Sequence, residues 1–185
     1  GRLTSGMSRA YHTNIINFPD LRHNKLLLYF FFFLFFFFFF FFFFFYVHAL
    51  SAQEIIRHYD LMPHVEGGHY RRVWCSTQDL QPESLPCGIC GSRPCSTSIL
   101  YLLQAGERSR LHRIRQDELW HFHLGGPLRL YCLTPDGREL DRVLGADILA
   151  GQHLLLPMPG GCWFGAEPCP GTAFSLVSCT VAPGF

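Results

Sequence analysis

Residues 51–185 contain neither lysine nor asparagine. All three Asn (Asn14, Asn17, Asn24) and the single Lys (Lys25) precede Ser51, whereas fifteen of the seventeen Gly and eleven of the twelve Pro follow it. Arg, Gly, Pro and Ala use GC-rich codons, and Phe, Asn, Lys and Ile use AT-rich ones, so the break reads as a change of coding source. An excess of charge of either sign is also missing. The 185 residues carry 15 Lys+Arg against 14 Asp+Glu, a net +1, and after Ser51 there are 11 Arg against 13 acids, a net −2. That balance excludes a polybasic nucleic-acid surface and an acidic tail. No internal repeat and no G-x-x-x-x-G-K-[ST] phosphate loop occurs. The length suits one domain with a tail.

The chain has one extreme excess. Fifteen of its twenty Phe lie between Phe30 and Phe45, interrupted only by Leu34. Leu26–Val47 is uncharged and long enough to cross the roughly 30 Å bilayer core. Its basic N-flank (Arg2, Arg9, Arg22, Lys25) would leave the N-terminus in the cytosol. Natural spans mix Leu, Ile, Val and Ala, whereas a pyrimidine-rich tract at a splice acceptor translates as near-pure Phe. The expectation is therefore a low-complexity gene-model segment over 1–50, with a single-pass anchor as the alternative. A cytoplasmic domain over 51–185 follows.

The even count of eight Cys would suit disulfides, but nothing independent indicates secretion, and incidental loop thiols are the reading preferred over a metal or redox site. Cys87-x2-Cys90-x4-Cys95 lies in the Pro/Gly-rich stretch Gln81–Pro94, which reads as a surface loop. Zinc usually needs four ligands, and no second CxxC is present. Cys132 and Cys179 sit in apolar, strand-like runs and are expected as small buried hydrophobes.

Ser51-Ala-Gln-Glu54 is a capping box in front of Ile55, Ile56 and Tyr59 and predicts a short helix that ends before Pro63. Beyond it, β-rich runs alternate with turn signals. Strands are predicted at His69–Cys75, Thr97–Gln104, Ser109–Ile114, Glu118–His123, Leu128–Thr134, Glu139–Leu144, His153–Leu156, Cys162–Ala166 and Thr172–Val181. Pro135-Asp136-Gly137 supplies a turn. The fold class is all-β, of jelly-roll type, with one short N-terminal helix.

Two blocks carry chemistry. Gly106-x5-His112-x-Ile114-x3-Glu118-x6-Gly125 has the spacing G-x5-H-x-H-x3-E-x6-G. Positions 112 and 114 share one strand face, and Glu118 on the next strand would meet them as a ligand set for a divalent ion. Ile114 cannot ligate. In Pro159-Gly160-Gly161-Cys162-Trp163-Phe164, which has the form P-x-G-x2-H, Phe164 stands where a further His is expected. Two donors hold a transition metal weakly. His121 and His123 have opposite parity to Glu118 and are expected on the other face. The second block, Pro63–Arg71, gathers His64, Glu66, Tyr70 and Arg71 around Gly67-Gly68, an acid/base and anion-binding set.

Together these blocks resemble the Cupin_5 (DUF985) family of the RmlC-like cupin superfamily. The pattern P-H-x-E-G-G-x-[FY]-R is Pro63–Arg71. The string L-L-x-x-G-E-x-S-x-x-H-R-x-x-x-D-E-x-W-H is Leu102–His121, and C-T-V-A-P-G-F is Cys179–Phe185. Family members usually carry Gln after the Trp, where Phe164 stands, and continue past the last motif, so a further C-terminal segment is expected. The resemblance implies a double-stranded β-helix barrel, a homodimer, and a small-molecule pocket in the barrel mouth. It implies no established reaction.

By analogy with metal-independent sugar-nucleotide epimerases of the superfamily, the expected function is isomerase- or epimerase-like, on a small polar or sugar-derived substrate. His112 would be the base and Glu118 its tuning partner. Trp120 and Trp163 would wall the pocket, and Arg71 or Arg113 would hold an anion. No cofactor, tightly bound metal or nucleic acid is expected. The alternatives are a non-catalytic ligand-binding cupin and a weakly metal-dependent enzyme using His112 and Glu118, completed by water or His64.

Overall fold

In the computed structural model, residues 25–46 and 50–185 are described, with the side chains of the first segment described over 29–40. The chain divides into two units, the second beginning at Leu50. In the first unit, helix α1 (Lys25–Tyr46) carries the Phe run. Among the described residues no helix is long and apolar enough to cross a membrane. The expectations for residues 1–24 and 47–49 lie outside the described residues.

The second unit opens on the predicted capping box. The Ser51 side chain accepts from the Glu54 amide while the Glu54 carboxylate accepts from the Ser51 N–H, and helix α2 (Ala52–Tyr59) follows. It stops at Asp60, which adopts a left-handed conformation. Ile55 on α2 is buried with Leu61, Leu102 and Leu176, so the helix covers the outer side of a sheet. Burial of one such side chain contributes about 1.5–3 kcal/mol.

Twelve strands follow: β1 (Met62–Pro63), β2 (His69–Cys75), β3 (Asp79–Leu80), β4 (Arg93–Pro94), β5 (Thr97–Gln104), β6 (Ser109–Arg113), β7 (Asp117–Gly125), β8 (Leu128–Leu133), β9 (Glu139–Leu144), β10 (Leu155–Met158), β11 (Trp163–Pro168) and β12 (Phe174–Ala182). The nine predicted strands are present. The seventh is displaced from His153–Leu156 to Leu155–Met158, because His153 is used in an isolated bridge to Leu144. The remaining three, β1, β3 and β4, have two residues each, too few to show a period of two.

One large sheet has the order β1-β2-β5-β12-β7-β10 and a second β6-β11-β8-β9, while β3 and β4 pair in a separate two-stranded sheet. The inner faces of the two large sheets enclose the core, in which Tyr101, Trp120 and Val177 of the first meet Leu130, Cys132 and Phe164 of the second. The architecture is an all-β jelly roll, as the alternating pattern implied. Cys132, Cys162 and Cys179 are buried, while Cys87 and Cys90 are exposed in the predicted loop, and all eight thiols are free.

Candidate functional site

The turn from β1 into β2 forms one wall of the site. His64 N–H donates to Gly68 O at 2.9 Å and Gly67 N–H to His64 O at 3.0 Å. Gly67 has φ +111°, and a Cβ there would lie 2.2 Å from the Arg108 carbonyl oxygen, so no other residue fits without displacing backbone. Three bonds pin the turn to the barrel. Arg110 N–H donates to Glu66 O at 2.9 Å, the Tyr101 hydroxyl to Gly67 O at 2.7 Å, and the Arg110 guanidinium to Val65 O.

The pinned turn brings Glu66 to His112. His112 projects inward from β6, opposite Phe164 on β11. Its Nδ1–H donates to the Arg110 carbonyl at 2.8 Å, which leaves Nε2 3.5 Å from Glu66 Oε2. On the other side, the Glu66 backbone N–H donates to His64 Nδ1 at 3.2 Å. Neutral His64 therefore carries its proton on Nε2. Burial holds His64 below the ordinary histidine range, with Glu66 opposing the shift and His112 adding to it. The His64 ring meets Tyr70 edge-on at 4.6 Å and Tyr101 at 5.5 Å.

Glu118 on β7 is 8% exposed, and its Oε2 has no hydrogen-bond partner. Burial pushes its carboxyl up to about 7; the nearby Trp120 indole opposes this and the Glu66 charge adds to it. Cys179, beside it on β12, has its thiol pushed up by burial and by Glu118. Tyr101 is likewise raised by burial, which makes it a poor proton donor at neutral pH.

These groups share one cavity of about 490 Å³. Of the residues expected from sequence, His64, Glu66, Tyr70, His112, Glu118 and Trp120 line it. Arg71, Arg113 and Trp163 do not, and this corrects their assignment to the pocket. The reason is strand parity: Tyr70 faces inward, so Arg71 faces outward and pairs with Asp60 at 3.0 Å. His112 and Phe164 face inward, so their neighbours Arg113 and Trp163 face outward, with the guanidinium stacked 5.3 Å from the indole ring centre. The carboxylate within ion-pair reach of His112 is Glu66, in place of the expected Glu118. His121 and His123 stay off the cavity as parity implied, and His123 shares a 2.9 Å hydrogen bond with Ser178. Arg72, Tyr101 and Ser109 also line the cavity and were missed. Arg72 and Tyr101 were legible, since each lies an even number of residues from an inward neighbour, Tyr70 or Leu103.

A family model, Cupin superfamily (DUF985), matches residues 53–185. The chain belongs to the Cupin_5 family. A protein of Shewanella oneidensis, SO0799, has a similar solved structure, with a TM-score of 0.66 and 37% identity over 74% of this chain and 80% of its own. A hypothetical protein from Leishmania major matches with a TM-score of 0.66 and 32% identity over 74% and 83%. The uncharacterized protein YML079W of Saccharomyces cerevisiae is 27% identical over 73% of this chain and 71% of its own.

Within this cupin, the positions whose spacing would hold a metal do not fit one. Ile114 offers no donor, and Phe164 is fully buried with its ring 4.3 Å from that of His112, filling the place of a ligand. Among the described residues no three His, Cys, Asp or Glu side chains converge as a metal site. His64 is engaged by the Glu66 amide and does not complete a set with His112 and Glu118.

Proposed function

We propose that this Cupin_5 chain is an acid–base enzyme of isomerase or epimerase type acting on a small molecule bound in the barrel cavity. The observation that carries this reading is the fixed His112. With Nδ1–H committed to the Arg110 carbonyl, Nε2 is the nitrogen left to take a proton, beside a carboxylate held by the Gly67 turn. A general base needs that combination of one free nitrogen, a fixed ring and a nearby group that balances the imidazolium.

The proton would pass from an activated C–H of the substrate to Nε2. Glu118, whose carboxyl titrates at about 7, would return a proton from the β7 side and is half protonated near neutral pH. Tyr101 anchors the turn through Gly67 and serves as a positioning residue. Trp120 supplies an aromatic wall. The reading includes a homodimer, which the family resemblance implies.

A deuterium-labelling screen tests the assignment. A metabolite extract is incubated with the chain in D₂O and read by mass spectrometry, beside the same extract with His112→Ala. One compound class gaining a single carbon-bound deuterium with the wild type and none with the variant is the expected result. A folded wild type that labels nothing, yet binds and releases a ligand unchanged, would favour a non-catalytic binding cupin. The apolar cavity wall is the feature on which that alternative rests.

A further inference from the structure

Arg72 on β2 brings to the cavity a charge that has no acid partner. In the strand order β2-β5-β12-β7, Arg72 stands three strands from Glu118, about 14 Å at ~4.8 Å per strand. Arg72 has the same parity as Tyr70, pairs across the ladder with Ile99, and lines the cavity. Four arginines of the barrel find acids (Arg71 meets Asp60, Arg108 meets Glu167, Arg129 meets Asp141 and Arg138 meets Asp136), and of those that do not, Arg72 lines the cavity. Among the described residues no carboxylate lies within ion-pair reach of Arg72. Of the two acids in the cavity, Glu66 is engaged with the histidines and Glu118 is on the distant strand.

Arg72 stands across the ladder from Ile99, and the apolar Met62, Val181 and Phe185 also line the cavity, beside Thr97. A guanidinium presents five donors in a planar fork that matches a carboxylate or phosphate bidentately. The apolar lining leaves those donors unanswered within the protein. An anionic ligand head would answer them, and an apolar ligand body would suit the wall behind.

We infer that the cavity takes a small organic anion with an apolar body, its carboxylate or phosphate held by Arg72 and its body directed along Ile99 and Trp120 towards His112. The direction of the ligand rests on His112 being the base; the anion site does not. The volume of about 490 Å³ is in the range of small-molecule sites. This narrows the substrate class from polar or sugar-derived molecules to acids with an apolar face.

The test compares benzoate, phenyl phosphate and benzyl alcohol, which share a ring and differ in the head group, by calorimetric titration of the wild type and Arg72→Gln. The wild type is expected to bind at least one anion about tenfold more tightly than the alcohol, and Arg72→Gln should remove that preference. The stronger of the two anions identifies the head group. Arg72 is exposed at the mouth, so the variant should keep its fold. A salt titration of anion binding to the wild type gives a second readout that needs no variant, and affinity should fall as ionic strength rises. Equal affinity for the alcohol, no anion binding below about 10 mM, or a preference that survives Arg72→Gln would overturn the inference. The readout is equilibrium binding, so failure of the His112-dependent labelling leaves this result standing, and the reverse holds too.

Discussion

Glu118 sits where a carboxylate charge is costly: it is 8% exposed, and its Oε2 has no partner. Its folded-state pKa of about 7 lies above the usual 4.5, so the native state holds the proton more tightly than the unfolded chain does. The stabilisation is complete below pH 4.5 and is lost as pH rises to about 7. The loss is on the order of 3 kcal/mol. Glu118→Gln keeps the shape of the neutral acid and removes the titration. Thermal melts from pH 4 to 8 should show the variant gaining on the wild type across that window, and parallel curves would show that Glu118 does not titrate there. If Glu118 returns the proton in catalysis, turnover should also fall as pH rises above about 7.

Single residues also show how far the sequence could be read. His112, Glu118, Glu66 and His64 were legible because their chemistry and spacing stand out in a chain poor in charge. Arg71 and Arg113 stand out in the sequence for their charge, although each directly follows an inward-facing residue, Tyr70 or His112, and adjacent strand residues face opposite ways. Parity alone therefore made Tyr70 and Arg71 incompatible as pocket partners. The Glu66–His112 contact was not legible, because it depends on a turn closing across residues distant in the chain.

At the scale of elements, the β1–β2 turn is the piece on which the site depends. Gly67 at φ +111° lets the chain pass against Arg108, and the bond from Tyr101 fixes the result. Gly67→Ala should destabilise the domain by about 1–3 kcal/mol, since a Cβ at 2.2 Å from a carbonyl forces backbone movement. It should also reduce His112-dependent labelling more than Ser51→Ala does. Ser51→Ala removes only the α2 cap, worth about 1 kcal/mol, on the outer side of the sheet. Comparable labelling in the two variants, corrected for stability, would show that the turn does not position the site. The longer strands were legible from alternation, whereas β1, β3 and β4 were not, because two residues carry no pattern.

At the scale of the whole barrel, the two large sheets surround a cavity lined by the acid–base groups and by Arg72, which has no acid partner. The jelly roll and family membership were readable from three ordered motifs over residues 51–185, and the family model matches 53–185. Light scattering of the purified chain should give twice the monomer mass; a monomer at micromolar concentration would remove the dimer from the proposal. The central claim concerns one nitrogen. Long-range ¹H–¹⁵N NMR of the histidine side chains reports which nitrogen of His112 bears the proton in the neutral ring. A protonated Nδ1 with Nε2 as the titrating atom is predicted, and a neutral ring protonated on Nε2 would contradict it.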